Sequence, residues 1–164
     1  MQRVTGMNVV RSRFMPLMAL LAAGACASAP VNFDDNLVVP GARVGEVQIG
    51  MPLAQLLAFM GTPRKSEPIP GTAATSYSFD GLTVGAHDTV YWIIADSPKY
   101  HTQNGVAPGS EQIFARAAFG KPDCVATRGD MTVYDYKDVY VEVDNRTGKV
   151  TQLGVQKKTT VCEK

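Results

Sequence analysis

The sequence predicts an α+β domain laid down twice: a tandem repeat of a short helix, an antiparallel β-hairpin and a third strand, with the helices packed on one face of a sheet. Three observations carry this expectation. Gly50 and Gly61 stand eleven residues apart with Pro63 two beyond, and Gly109, Gly120 and Pro122 repeat the arrangement 59 residues later. Between the first glycine pair, Leu53, Leu56, Leu57 and Met60 fall at i, i+3, i+4 and i+7, the spacing of one buried helix face. After each helix, alternating apolar segments flank a two-residue turn, Asp80-Gly81 in the first copy and Lys137-Asp138 in the second.

In chain order, residues 1–25 read as an export signal: Arg3, Arg11 and Arg13, then an apolar run over 14–23, then small residues. That run falls short of the ~20 apolar residues a membrane span requires. Residues 26–43 read as a flexible tether with prolines and glycine. An alternating segment at 44–49 leads into the first helix, where Pro52 suits a first helical position and Gly61 a left-handed close. The stretch 64–75 is rich in Pro, Gly and Thr and reads as a loop. A hairpin around Asp80-Gly81 and a strand at 90–95 complete the first repeat, 44–96. A linker follows at 97–108, with a weak strand signal over 102–106. The second repeat, 109–164, has Ser110 as N-cap, an apolar helix face of Ile113, Phe114, Ala117 and Ala118, the second hairpin, and a strand at 150–155.

Hairpin register sets side-chain direction. A two-residue turn pairs Phe79 with Leu82, Tyr77 with Val84, Tyr136 with Val139 and Tyr134 with Val141, all apolar or aromatic, so this face lies against the helices. Ser76, Ser78 and Thr83, with Asp135, Tyr140 and Glu142, then fall on the wet face. Pointing Gln152 to water puts Leu153, Val155, Ile93 and Ala95 inside, and Val90, Trp92 and Ile94 outside. The lone tryptophan on the polar side is either covered by the linker or contacts a partner, since Trp is enriched in binding hot spots. Trp92 and Tyr140, with Asp135 and Glu142, are the candidate partner-binding residues.

Loss of the signal leaves 13 basic against 15 acidic side chains, without a basic stripe, which argues against nucleic acid as a partner. Of the three cysteines, Cys26 sits in Ala23-Gly24-Ala25-Cys26, which looks like a lipobox whose cysteine takes the lipid; cleavage after Ala27 would instead discard it. Two leftover cysteines in an exported chain, Cys124 and Cys162, most often form a disulfide, which would close a loop worth roughly 4 kcal/mol. A metal site completed by His87 or His101 competes weakly, because neither stands at ligand spacing to a cysteine. No cofactor motif, nucleophile elbow or HExxH sequence is present.

The run Val47-Gln48-Ile49-Gly50-Met51, then Leu56-Leu57 and Gly61, resembles the repeat signature of BamE-type outer-membrane lipoproteins (the SmpA/OmlA family) and of secreted β-lactamase inhibitor proteins. The resemblance implies helix-plus-strand repeats that grip a partner with an exposed sheet face. It also implies a disulfide at a cysteine four residues past the helix-closing glycine, where Cys124 follows Gly120; Lys65 holds the matching place in the first copy. The expectation is a non-catalytic, exported outer-membrane lipoprotein facing the periplasm. It would be held at the membrane through a lipid anchor and would bind an envelope protein partner, as an accessory to outer-membrane assembly. The alternatives are a soluble periplasmic or secreted inhibitor of a cell-wall enzyme or β-lactamase, and a small-ligand carrier or enzyme using His87 or His101.

Overall fold

Alternating, β-branched segments after each glycine-bounded helix dominate the architecture of the computed structural model, which describes residues 35–156. The chain begins with three two-residue strands, β1 (Val38–Val39), β2 (Arg43–Val44) and β3 (Val47–Gln48), forming a small antiparallel sheet. Helix α1 (Leu53–Met60) follows, then β4 (Lys65–Pro68), β5 (Thr75–Ser78), β6 (Leu82–Ala86) and β7 (Val90–Ala95). Helix α2 (Gln112–Phe119) precedes β8 (Cys124–Arg128), β9 (Met131–Asp135), β10 (Val139–Asp144) and β11 (Lys149–Gln156). The last eight strands make one antiparallel sheet in the order β4-β5-β6-β7-β11-β10-β9-β8.

This corrects the expected α+β class. The protein is mostly β, and its helices do not form a layer of a helix-packed tandem repeat. Each is eight residues long, about 12 Å, and each fully buries one side chain, Leu56 in α1 and Ala115 in α2. The core is built instead from the inner face of the large sheet, with Leu82, Val84, Ile93, Val141, Leu153 and Val155, and from Val38, Val44 and Val47 of the small sheet.

The inward pairings Tyr77 with Val84 and Tyr134 with Val141 are formed as read. The face expected for α1 is also the one that packs, with Leu56 buried and Leu53, Leu57 and Met60 against the core. In α2 it is not: Ile113 and Phe114 are 61% and 60% exposed, and the chain turns Ala115, Ala118 and Phe119 inward. Ser110 does not cap α2. Glu111 occupies that place, and the Ser110 hydroxyl accepts the Ala107 N–H at 3.0 Å.

Two edge strands went unforeseen. β4 lies where a loop was expected, and its Lys65, Glu67 and terminal Pro68 are the charges and proline that guard an edge from further pairing. β8 pairs with β9 across the turn Gly129-Asp130, where Gly129 holds φ at 60°. The segment at 44–49 is split between β2 and β3 by Gly45, and 102–106 forms a turn in which Thr102 N–H donates to the Val106 carbonyl. The expected tether is folded from residue 38 onward, since Val38 is buried and Arg43 pairs with Asp35 at 2.6 Å. The linker sends Tyr100 and Val106 into the core.

Val90 is buried rather than wet, because β7 carries a bulge. Gly85 pairs with Trp92 while Ala86 pairs with Val90, leaving Tyr91 as an extra residue that reverses the parity beyond it. β11 does the same: Glu142 pairs with Gln152 and Val143 with Val150, leaving Thr151 extra. Beyond each bulge the strand reaches the start of a helix, for Gly50 N–H donates to the Val90 carbonyl and Gly109 N–H to that of Val150, both at 2.7 Å.

Candidate functional site

The face opposite the core is where the sequence placed its recognition residues. Ladder registry aligns Thr83, Ile94, Gly154, Tyr140, Asp135 and Cys124 across six strands of that face. Adjoining rows carry Trp92 beside Gln156, and Gln152 beside Glu142 and Val133.

Glycines shape the floor. Trp92 lies across its cross-strand partner Gly85, so that a Cβ there would overlap indole Cε2 and Nε1. Tyr140 lies across Gly154 in the same manner. Aromatic rings over bare glycine backbone are a recurrent way of covering a weak point in a sheet. Here they also flatten two large side chains against the strands instead of letting them stand up. The depression that remains is a cavity of about 270 Å³ lined by Trp92, Ile94, Val133, Tyr140, Glu142 and Arg128, with Gln152 and Gln156.

Its polar groups are held in place. The Glu142 carboxylate accepts the Thr151 hydroxyl at 2.9 Å, a contact that the bulge at Thr151 makes possible. Burial, and then the nearby Glu142 carboxylate, push the Tyr140 phenol above its ordinary value, so it stays a neutral hydroxyl at any physiological pH. Tyr91 meets Trp92 edge to face, with ring centroids 6.0 Å apart.

Three of the four candidate partner-binding residues, Trp92, Tyr140 and Glu142, therefore come together in one depression. Asp135 does not join them as an accessible group: it is 4% exposed, and its carboxylate accepts the Lys137 N–H at 2.8 Å across the hairpin turn. Arg128 escaped the sequence reading because its strand did, although the dipeptide Gly129-Asp130 is itself a hairpin-turn signal. Cys124, at the start of β8, is disulfide-bonded. Cys26 and Cys162 lie outside the described residues, as does the export signal. His87 pairs with Asp88 at 3.1 Å in an exposed turn, and His101 Nδ1 lies 3.2 Å from the Lys99 carbonyl, so the two histidines share no site.

An eight-stranded antiparallel sheet with one face on the core and the other hollowed around two flattened aromatics defines the fold class. Among solved structures, the chain is similar to the uncharacterized protein YfeY from Escherichia coli, with a TM-score of 0.53 and 14% identity over 72% of this chain and 98% of that one. It is also similar to an extracellular protein containing an SCP domain from Bacillus anthracis, with a TM-score of 0.50 and 12% identity over 66% of this chain and 43% of that one. A cysteine-rich secretory protein from Staphylococcus aureus gives a TM-score of 0.46 and 13% identity, over 76% of this chain and 49% of its own length. The chain thus spans less than half of the SCP-domain protein. No family model and no curated protein matches the sequence.

The likeness to YfeY and to the SCP-domain protein, together with the mostly β architecture, overturns the resemblance to BamE-type lipoproteins and β-lactamase inhibitors. The motif behind it is local. It encodes a strand, a positive-φ glycine at Gly50 and a helix closed at Gly61, all of which form. Nothing in it fixes how many strands follow or in what order they pair. Among the described residues, no helix is long and apolar enough to cross a membrane.

Proposed function

We propose that the protein is an exported, non-catalytic binding module that recognises another envelope protein with the open face of its sheet. The observation that carries this reading is the cavity of about 270 Å³ in which Trp92, Tyr140 and Glu142 converge from β7 and β10. Aromatic side chains on a rigid sheet make good anchors because they offer large contact area at little entropic cost. Export is supported by the signal-like residues 1–25 and by the extracellular character of the SCP-domain neighbour. Lipid attachment at Cys26 would hold the module at the outer membrane, facing the periplasm; without it the module is soluble in the periplasm. The assembly-accessory and inhibitor roles rested on the overturned resemblance and lose their support with it.

A photo-cross-linking residue at Gln152, on the cavity rim, tests the reading in the native envelope, with Ile113 on the helix side as control. A covalent adduct formed from position 152, absent from 113 and lost on Trp92→Ala, is expected. An adduct indifferent to Trp92→Ala refutes the site. Small-ligand carriage is the second reading, favoured by a volume just under the ~300 Å³ at which ligand pockets begin; it predicts no protein adduct from either position. For the anchor, Cys26→Ala should abolish incorporation of labelled palmitate and release the protein from membranes; unchanged fractionation refutes it.

A further inference from the structure

We propose that β8 is a dimerisation edge, along which a second copy of this chain adds its own β8 antiparallel and joins the two large sheets into one. This surface is separate from the open-face pocket and does not rest on the binding role proposed above.

The two ends of the large sheet differ. β4 carries Lys65, Glu67 and Pro68, whereas β8, Cys124-Val125-Ala126-Thr127-Arg128, has no proline and pairs with β9 without a bulge. Ladder parity fixes which of its backbone groups point outward. Tyr136 N–H donates to the Val139 carbonyl, so Tyr134 and Thr132, further back along the same strand at even spacing, direct their backbone groups to β10. Val133 and Asp135 then serve Ala126 and Cys124 of β8, and the N–H and C=O groups of Val125 and Thr127 face away from the sheet. Among the described residues, nothing bonds to them.

A second copy fits this edge because the edge is its own complement. With a two-fold axis at Ala126, Val125 of each copy stands opposite Thr127 of the other, and the outward groups of those two residues satisfy one another. Cys124 stands opposite Arg128, which keeps the two guanidinium groups about 14 Å apart along the strand. Charge favours the same direction: the exposed Asp123 precedes β8 and the exposed Arg128 ends it, so each strand brings its acidic end to the other's basic end. Pairing β8 with β4 would instead be head-to-tail, and Pro68 lacks the N–H that such a ladder needs.

The junction has an apolar side as well. Val125 is 52% exposed on the core side, beside Tyr134 in the ladder, and the Tyr134 hydroxyl accepts a hydrogen bond from Gln112 at the start of α2. The exposed Ile113 follows Gln112 at that end of the helix. A second β8 covers Val125 and draws water away from this corner. Like faces pair with like across a ladder, so both hollowed faces then look the same way.

Ala126→Cys tests the register in the native envelope. Residues facing each other at the axis form a non-hydrogen-bonded pair with Cα atoms about 4.5 Å apart, within disulfide range. A mild oxidant should convert this variant to a covalent species of twice the chain's mass on a non-reducing gel, while wild type and Ser66→Cys on the β4 edge stay monomeric. Val125→Pro removes an outward N–H and leaves the β8–β9 ladder intact; Val125→Lys puts a charge on the same edge and serves should the proline variant fold poorly. Each, added to Ala126→Cys, should abolish the cross-link with far-UV circular dichroism unchanged. No covalent dimer from Ala126→Cys, one that survives both substitutions, an equal one from Ser66→Cys, or an adduct to a different protein overturns the proposal. The cross-linker at Gln152 reports the open face separately, so either reading can fail alone.

Discussion

Replacing Gly85 with alanine puts a methyl group where the indole of Trp92 now rests. The new Cβ would stand 2.8 Å from Cδ2 and closer still to Cε2 and Nε1, so the ring has to lift. A tryptophan side chain buries roughly 150–250 Å²; uncovering about a third of that costs about 1.7 kcal/mol at ~25 cal/mol per Å². Alanine recovers about 0.4–1 kcal/mol by narrowing the unfolded ensemble. The net is about 1 kcal/mol of destabilisation, or roughly 4 °C in Tm for a domain of this size. Because the chain has one tryptophan, fluorescence reads this site alone. Emission should shift to the red in Gly85→Ala, and the double variant Gly85→Ala/Trp92→Ala should show a coupling of about 1.7 kcal/mol at ~25 cal/mol per Å², since the methyl costs nothing once the ring is gone and the unfolded-state gain cancels in the cycle. An unchanged emission maximum and an additive cycle would refute the idea that the glycine exists to seat the ring.

The remaining predictions concern the turn, the buried phenol and the N-terminal ion pair. Lys137 holds φ at 79°, a left-handed conformation that disfavours a β-carbon, so Lys137→Gly should raise stability by about 0.5–1 kcal/mol in urea titration. The Tyr140 phenol is raised by burial, so its contribution is intact below the ordinary value of about 10 and lost above it, as the unfolded chain ionises and the folded one does not. Stability should then fall by about 1.4 kcal/mol per pH unit, less steeply in Tyr140→Phe, with the half-buried Tyr136 phenol, also raised by burial, supplying the residual slope. The Arg43 guanidinium, and then the Leu37 N–H, hold the Asp35 carboxyl down to about 2. That stabilisation is present above the ordinary value of about 3.9 and lost as pH falls toward 2. Thermal melts of wild type and Asp35→Asn should therefore differ at pH 7 and converge in strong acid.

Local chemistry was the legible part of this sequence. The glycines that close α1 and α2, the hairpin partners of Tyr77 and Tyr134, and the convergence of Trp92, Tyr140 and Glu142 on one face all follow from periodicity and turn residues. What escaped was set by neighbours. β4 and β8 are edge strands, exposed and rich in polar residues, so neither shows the apolar alternation that marks a strand; their pairing comes from the adjacent hairpin. The bulge at Tyr91 carries no signature in Val90-Tyr91-Trp92, and a single inserted residue moved Val90 from water to the core. In α2, Ile113 and Phe114 have the composition of a buried face, yet contact with the sheet selected the smaller Ala115, because the helix lies close against β11. Fold class failed for a related reason: two brief helices were given the weight of a layer, when the side chains that exclude water belong to strands.

The extra residues at Tyr91 and Thr151 divide each of their strands into two segments that are out of step. One keeps time with the hollowed face and presents Trp92 or Gln152 there. The other has turned over, so that Val90 and Val150 grasp the loops where α1 and α2 begin. Excising both residues would leave a sheet whose ribbons still pair, but from which the two helices have lost their moorings.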